Sequence, residues 1–237
     1  RFLKNFDSIK ILGEGGFGCI FEAQNKLDTR RYAIKRIPHL ENDLGKALHE
    51  VRALASLDHP GIVRYNYSWV EKPPIGWQVT NLQKHSDAKQ YKKHFIYRDD
   101  CAFLYIQMEL CQSALADWLN TNQQRDQARM VSWFKQIVCA VQYIHSKNLI
   151  HRDLKPNNIL VVSDDVVKIC DLGVATVFES DDLITRTNIG TCLYRSPEQN
   201  MIYDERVDIF PLGLILIELC IVMTEKRRFE VSRHFAL

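Results

Sequence analysis

The chain has 237 residues, of which 46% are hydrophobic and 25% charged, the composition of an ordinary globular domain. A chain of this length can bury a substantial core, as one large domain or as two lobes. The formal net charge of +2 gives no reason to expect direct nucleic-acid binding. The longest apolar run, residues 212–223, is interrupted by Glu218 and is too short to cross a bilayer, so no membrane segment is predicted.

The cysteines form no Cys-x-x-Cys pair, and most of them lie within apolar runs. We therefore expect buried, reduced thiols of a cytosolic environment, not a disulfide framework or a zinc site. The seven positions are Cys19, Cys101, Cys111, Cys139, Cys170, Cys192 and Cys220.

Two strands are predicted near the start of the chain, at residues 8–12 and 19–23. They flank the run Gly13-Glu14-Gly15-Gly16-Phe17-Gly18. Glycines allow a backbone to approach phosphate closely, but Gly-x-Gly-x-x-Gly alone is a weak signal because dinucleotide sites carry it too. A dinucleotide loop opens a helix, whereas β-favouring residues follow here. The pattern therefore favours a strand-turn-strand flap over phosphates.

A third strand and a helix follow. The alternating residues 32–35 end in Lys35, and residues 41–57 show helical spacing with Glu50 on the helix. A strand lysine is by default solvated, but the distance of Lys35 from the glycine-rich run favours a phosphate contact.

Further strands are predicted at residues 62–70 and 103–110. Residues 71–101 between them carry turn chemistry at Pro73 and Pro74 and little periodicity, so we interpret them as an insert. The lysines of this insert are interpreted as a solvated face without an assigned partner.

The second half of the chain begins with two predicted helices, residues 113–122 and 124–147. The second helix has an apolar stripe at spacings of three and four residues. The stripe consists of Met130, Phe134, Ile137, Val138, Val141 and Ile144.

The run from His151 to Asn158 (His-Arg-Asp-Leu-Lys-Pro-Asn-Asn) is followed thirteen residues later by Asp171-Leu172-Gly173. Mg²⁺ prefers oxygen ligands and keeps several waters, so the amide of Asn158 and the carboxylate of Asp171 are sufficient protein ligands. Asp153 is then available to orient a hydroxyl, and Lys155 to steady a phosphate.

These runs, together with residues 32–35, resemble the catalytic and metal-binding motifs of eukaryotic protein kinases, with Leu172 in place of the family's phenylalanine. The resemblance implies an α+β, two-lobed protein-kinase fold. Residues 1–110 would form the small antiparallel β lobe with its αC helix, with the 71–101 insert between two strands. Residues 111–237 would form a mainly helical large lobe that is truncated after the αF helix, the predicted helix 208–223.

The resemblance also implies roles for the motif residues. Lys35 would contact the α- and β-phosphates of ATP and pair with Glu50, and Asp153 would be the catalytic base. Lys155 would neutralise charge on the transferred phosphoryl group and favours serine/threonine substrates. Asn158 and Asp171 would hold Mg²⁺. The implied ATP-binding set is Leu12, Gly13, Glu14, Gly15, Gly16, Phe17, Gly18, Ile20, Ala33, Lys35, Met108, Glu109 and Cys111.

By the same resemblance, residues 171–198 form an activation segment. The candidate phosphosites are Thr185, Thr187 and Thr191. Arg152 would receive a phosphate there, and Thr191 would also contact Asp153 and Lys155. His151 would be a structural histidine, and Asp208, at the start of the αF helix, would brace the catalytic loop and cap that helix.

Within the family, residues 59–65, 105–108, 190–199 and 208–216 are similar to the stress kinases that phosphorylate the alpha subunit of translation initiation factor two, and most of all to the PERK branch. This implies that subunit as the protein substrate, and a homodimer through the small lobe.

In that dimer, Arg1 matches the arginine of the family's ion pair, but Asn5 stands where an acid is expected. The implied location is a cytosolic domain of a longer protein that is anchored in the endoplasmic reticulum membrane. The alternative function is a catalytically weak kinase-fold module for nucleotide binding or dimerisation.

Overall fold

The computed structural model describes residues 1–15, 18–40, 44–72, 101–173, 175–177, 192–200 and 203–235. The chain forms two compact units. Unit 1 comprises Arg1–Val51 and Tyr65–Leu110, and unit 2 comprises Arg52–Arg64 and Cys111–Leu237. Among the described residues, no helix is long and apolar enough to cross a membrane.

Unit 1 is built on a five-stranded antiparallel sheet in the order β1-β2-β3-β5-β4. Its strands are β1 (Phe6–Gly15), β2 (Gly18–Asn25), β3 (Arg31–Leu40), β4 (Tyr65–Glu71) and β5 (Cys101–Glu109). A short helix α1 (Phe2–Asn5) precedes the sheet, and helix α2 (Leu44–Ala55) follows β3. The predicted strands are all present, and the insert lies outside the described residues apart from its two ends.

The first hairpin contains a glycine that no other residue could replace. Gly15 pairs with Gly18 across β1 and β2, and Gly18 has φ +128°. A Cβ at Gly18 would lie 2.1 Å from the carbonyl oxygen of Arg36, so both the conformation and the space require glycine.

One face of this sheet carries an aromatic core. Phe2 of α1 lies 5.0 Å from Tyr105, between ring centres, and Trp69 stacks on Tyr105 at the same distance. The guanidinium of Arg36 lies 4.9 Å from the ring centre of Phe21, a cation–π contact that covers the cluster. Aromatic pairs of this kind stabilise beyond their buried area. The buried aromatic members are Phe2, Phe6, Phe21, Trp69, Phe103 and Tyr105.

Unit 2 is mainly helical, which with the sheet of unit 1 confirms the predicted α+β class. Its helices are α3 (Leu115–Thr121), α4 (Gln127–Ser146), α5 (Ile209–Cys220) and α6 (Glu225–Phe235). Its strands are β6 (Ser113–Ala114), β7 (Leu149–Ile150), β8 (Ile159–Ser163), β9 (Val166–Ile169) and β10 (Thr176–Val177). Strands β6, β8 and β9 form one sheet, and β7 pairs with β10.

Helix α4 holds the β8–β9 hairpin, which follows residues 151–158. The side chain of Gln136 donates to the carbonyl of Asp165 and accepts from the N–H of Val167, and the indole of Trp133 donates to the carbonyl of Asp164. The predicted stripe on α4 is wrong at one position: Val138 is 37% exposed, and Trp133 lies on the buried face instead. The helical period allows both positions at the edge of a stripe, and packing decides between them.

The prediction that the cysteines are buried is also wrong in part. Cys19 is buried, but Cys139 and Cys220 are exposed. Both exposed cysteines lie on helices in apolar runs, α4 and α5, where only part of each helix surface faces the core.

Candidate functional site

Unit 1 contributes a buried ion pair. Nζ of Lys35 lies 2.8 and 2.9 Å from the two carboxylate oxygens of Glu50. Lys35 is 5% exposed and Glu50 is 4% exposed. Strand β3 positions the lysine, which pairs across the sheet with Ile20 and Ile106, and α2 carries the glutamate. Removing one partner of such a pair leaves an uncompensated buried charge, so the two residues act together.

The predicted nucleotide-contact residues of unit 1 lie mostly on its sheet. Ala33 of β3 pairs with Met108 of β5, and Met108 is buried. Leu12 and Gly13 lie on β1, and Gly13 pairs with Ile20. Glu109 ends β5, while Cys111 lies in unit 2. Gly16 and Phe17 lie outside the described residues, as does the side chain of Glu14.

Unit 2 brings three predicted site residues together around one carboxylate. Nζ of Lys155 lies 2.7 Å from Oδ2 of Asp153, and Nδ2 of Asn158 lies 2.9 Å from the same oxygen. Nδ2 of Asn158 also donates to the carbonyl of Asp153 at 2.8 Å. The carboxylate Oδ2 and the main-chain carbonyl oxygen of Asp153 can only accept hydrogen bonds. The amide nitrogen of Asn158, and not its oxygen, must therefore face them. The arrangement holds a buried carboxylate in one orientation beside a cation.

The backbone of this loop is braced from α5. The carboxylate of Asp208 accepts from the N–H groups of His151 and Arg152, each at 2.9 Å, and contacts Nε2 of His145 at 2.8 Å. Asp208 therefore occupies the N-cap position of α5 without capping it, because its oxygens are used by the loop. The predicted helix cap is wrong in this respect.

His151 is held on both ring nitrogens. Its Nδ1 accepts from the N–H of Asp153 at 3.3 Å, and its Nε2 lies 3.1 Å from the carbonyl of Cys170. Because Nδ1 accepts a hydrogen bond and Nε2 faces a carbonyl oxygen, the ring proton lies on Nε2. This bonding is that of a structural histidine.

Asp171 stands in a left-handed backbone conformation, with φ 62°. Such a conformation is costly for a residue other than glycine and is concentrated at functional sites. Its neighbour Leu172 is completely buried, and the N–H of Cys170 donates to the carbonyl of Asn158 at 2.9 Å. This last bond ties the two candidate metal-binding segments together.

The donor set fits a magnesium ion. Both hydrogen bonds of the Asn158 amide nitrogen are directed at Asp153, so the amide oxygen Oδ1 is the atom left to face a cation. Asp171 adds a carboxylate. No group of three or more His, Cys, Asp or Glu that could hold a metal occurs within the described ranges. Two oxygen ligands suit Mg²⁺, which keeps its remaining waters.

The predicted phosphate receiver, Arg152, contacts a residue that sequence analysis did not single out. Its Nη1 donates to the hydroxyl of Tyr203 at 3.1 Å, and its backbone has φ 67°. Sequence analysis also missed Gln199, whose amide donates to the carbonyl of Arg152, and His145. These three have no motif spacing that could have identified them.

The predicted phosphosites Thr185, Thr187 and Thr191 lie outside the described residues.

Two features are each typical of protein kinases. One is the antiparallel sheet with a buried lysine–glutamate pair, and the other is the helical unit with an Asp-Lys-Asn cluster before an aspartate. The sequence profile of the protein kinase domain matches residues 6–233. The chain belongs to the protein kinase family.

Similar proteins agree with this assignment. The interferon-induced, double-stranded RNA-activated protein kinase of Mus musculus is 43% identical over 240 residues, which cover 98% of this chain and 44% of that protein. Eukaryotic translation initiation factor 2-alpha kinase 3 of Bos taurus is 26% identical, covering 92% of the chain and 38% of that protein. The eIF-2-alpha kinase GCN2 of Arabidopsis thaliana is 29% identical, covering 92% and 20%. The chain thus spans less than half the length of these relatives. The predicted resemblance to the kinases of initiation factor two alpha is confirmed for the group as a whole. Within it, the identity to the double-stranded RNA-activated kinase (43%) is higher than the identity to initiation factor 2-alpha kinase 3 (26%), which belongs to the PERK branch.

Proposed function

We propose that this chain is a serine/threonine kinase domain that transfers the γ-phosphate of ATP to the alpha subunit of translation initiation factor two. The observation that carries the proposal is the cluster of Asp153, Lys155 and Asn158, with one carboxylate oxygen shared by an ammonium and an amide. The substrate assignment is supported by the relatives that are named as kinases of this subunit. Autophosphorylation in the activation segment, residues 171–198, is part of the proposal.

In the proposed reaction, the substrate hydroxyl oxygen forms a bond to the γ-phosphorus as the bond to the bridging oxygen breaks and ADP leaves. Asp153 orients the hydroxyl and accepts its proton. Because the transition state is loose, orientation contributes more than full deprotonation. Lys155 stabilises negative charge on the transferred group, a preorganised electrostatic contribution. Lys35, held by Glu50, contacts the other phosphates of ATP.

Magnesium belongs to the same proposal. When bound, Mg²⁺ supplies positive charge that offsets the charge on the phosphate oxygens. Asn158 Oδ1 and the carboxylate of Asp171 would hold it. The tie between Asn158 and Cys170 keeps these two ligand-bearing segments in register.

The direct test is phosphotransfer from ATP to the purified alpha subunit, beside a generic basic protein. Asp153→Asn keeps the side-chain volume but removes the proton acceptor, so we expect transfer to fall by about 10²-fold or more. The matched control is Asp165→Asn, in the exposed β8–β9 turn, for which we expect transfer within about twofold of wild type, since exposed substitutions away from special features have small effects.

The outcomes separate the hypotheses. Transfer to the alpha subunit that is lost in Asp153→Asn supports the full proposal. Transfer only to the generic protein would retain the kinase and contradict the substrate. ATP binding without any transfer to either protein would favour the kinase-fold binding module.

The same resemblance supports two further proposals, on the oligomeric state and on the cellular location. A homodimer through unit 1 would involve Arg1, whose guanidinium lies 4.9 Å from the ring centre of the exposed Tyr67. Sedimentation of wild type and Arg1→Ala tests this, and equal masses would contradict it. The PERK-like resemblance supports a cytosolic domain of a membrane-anchored stress kinase, which is contradicted if the full-length protein fractionates away from membranes.

A further inference from the structure

One peptide group of the catalytic loop is held at both ends by buried side chains. The carbonyl oxygen of Arg152 accepts from Nε2 of Gln199 at 3.0 Å. The N–H on the other side of the same peptide bond, that of Asp153, donates to Nδ1 of His151 at 3.3 Å. The plane of the peptide that leads into Asp153 is therefore defined by two side chains from different segments.

Gln199 is suited to this contact by its position and chemistry. It is 3% exposed and lies in the 3₁₀ turn Pro197–Asn200, which its own N–H closes by donating to the carbonyl of Ser196 at 3.1 Å. A peptide carbonyl can only accept a hydrogen bond, so the amide nitrogen of Gln199 must face Arg152. Glutamate of the same shape would place an acceptor against an acceptor.

The contact also supports an unfavourable backbone conformation. Arg152 has φ 67°, in the left-handed region, where a residue other than glycine is strained. Such strain persists only where surrounding contacts over-determine it. The contacts here are the carboxylate of Asp208 on the Arg152 N–H and the amide of Gln199 on its carbonyl.

We propose that Gln199 is a positioning residue for Asp153: its side-chain amide sets the orientation of the Arg152–Asp153 peptide and thereby the direction of the catalytic carboxylate. The end of the activation segment is then a determinant of catalysis through this one hydrogen bond. The proposal rests on the proposed kinase function. Reacting groups tolerate little misplacement, so a small rotation of this peptide lowers the rate of the chemical step.

The main test compares two glutamine-to-methionine variants in the intact protein. Gln199→Met keeps the side-chain length and removes the donor, and we expect kcat to fall about tenfold, with KM for ATP changed less than about twofold. Gln136→Met is the matched control, because Gln136 also binds main-chain groups of unit 2 but in the β8–β9 hairpin. A kcat for Gln199→Met equal to that of Gln136→Met overturns the proposal.

A pH profile adds a readout that a general packing defect does not move. In Gln199→Glu, only the protonated carboxyl can donate to the Arg152 carbonyl, so its activity relative to wild type rises as pH falls. The relative activity of Gln199→Met stays constant over the same range. A relative activity of Gln199→Glu that does not depend on pH contradicts the assigned hydrogen bond.

Hydrogen exchange at the Asp153 amide separates failure of this proposal from failure of the proposed function. We expect exchange to be about tenfold faster in Gln199→Met than in wild type and unchanged in Gln136→Met, because the freed peptide opens more often. If wild type transfers no phosphate, the kinase function fails, while faster exchange in Gln199→Met still shows that Gln199 holds the Arg152–Asp153 peptide. Equal exchange in all three proteins shows that Gln199 does not hold this peptide, and it overturns the proposal whatever the activity.

Discussion

In unit 2, two completely buried polar side chains differ in their hydrogen bonding. Asp208 is completely buried and is stabilised by N–H donors of the catalytic loop, whereas Ser196 is equally buried but its hydroxyl has no hydrogen-bond partner among the described residues. A buried polar group costs free energy when it lacks a partner and little when it is bonded. The two residues are therefore expected to respond to substitution in opposite directions.

We expect Ser196→Ala to raise the free energy of unfolding by about 1 kcal/mol, because it removes an unsatisfied buried hydroxyl. Urea unfolding measures the change. Ser146→Ala is the control, since the hydroxyl of Ser146 donates to the carbonyl of Tyr143 at 2.7 Å and the residue is exposed. A loss of stability in Ser196→Ala would show that its hydroxyl is bonded.

Glu218 of α5 is a buried carboxylate outside the catalytic loop. It accepts from the hydroxyl of Tyr194, and its Oε2 lies 2.9 Å from Nε of Arg228, in an ion pair without hydrogen-bond alignment. Burial raises the pKa of Glu218 above its usual value of 4.5, against the opposing effects of Tyr194, Arg228 and Arg125.

A raised folded-state pKa makes stability depend on pH. The favourable contribution is complete below pH 4.5, the unfolded value, and is lost as pH rises through the folded pKa. We therefore expect wild type to lose stability relative to Glu218→Gln as pH rises from 4.5 towards neutrality. Unfolding both proteins in urea at several pH values checks this, and a difference that is constant with pH, or that grows in favour of wild type, would be contrary evidence.

At the scale of elements, the loop after α2 packs closely on α4. A Cβ at Gly61 would lie 3.0 Å from Cβ of Ala140 and 3.2 Å from the carbonyl of Gln136. The loop continues into Ile62, which bridges to Ile169 of β9 in parallel. Close approach of loop and helix thus places β9, and with it Asp171, relative to α4.

We expect Gly61→Ala to lower the free energy of unfolding by about 1–3 kcal/mol through overpacking. The comparison is Gly213→Ala on the exposed side of α5, where nothing lies within 4 Å of the added Cβ. That substitution should stabilise the protein by about 0.5–1 kcal/mol, because alanine is the better helix former. Thermal unfolding of both variants measures the two changes in the free energy of unfolding. Equal changes in the two variants would contradict the packing argument.

Polar contacts attach helix α6 to the rest of unit 2. Arg228 pairs with Glu218 and donates to Oδ1 of Asn120 at 3.0 Å, and the hydroxyl of Ser232 donates to the carbonyl of Leu193. These contacts join α6 to α5, to α3 and to the 3₁₀ turn Cys192–Tyr194. The position of α6 is therefore tied to the turn Cys192–Tyr194.

At the scale of the whole molecule, the proposed ligand couples binding to stability. We expect MgATP to raise the melting temperature of wild type, since a ligand at 100 times its dissociation constant adds about 2.7 kcal/mol of stability. The ligand-induced shift should shrink in Lys35→Met and in Asp171→Asn, and chelation of the metal should reduce it in wild type.

The shift induced by ligand is the quantity to compare, because Lys35→Met also leaves Glu50 buried without its partner. Lys10→Met on the exposed part of β1 and Asp165→Asn in the exposed turn are the controls. Shifts as large in the two site variants as in wild type would contradict the assigned roles.

Much of the fold was predictable because its signals are local. β-Favouring residues predicted the strands beside Gly18, alternation predicted the strand that contains Lys35, and helical periodicity predicted α4. Motif spacing identified Asp153, Lys155 and Asn158, which the structure brings together. The membership of residues 52–64 in unit 2 had no such signal, because it depends on which distant surfaces the segment contacts.

The amino-acid sequence by itself determined the element types and the residues with the chemistry for phosphoryl transfer, since both follow from neighbours within a few positions. Only the tertiary structure decided that Asp208 leaves α5 without a side-chain cap, that Gln199 holds the Arg152 carbonyl, and that Glu218 pairs with Arg228. The physical reason is that a buried polar group bonds to whatever the folded chain places beside it. For Gln199 and Arg152 that partner lies 47 residues away.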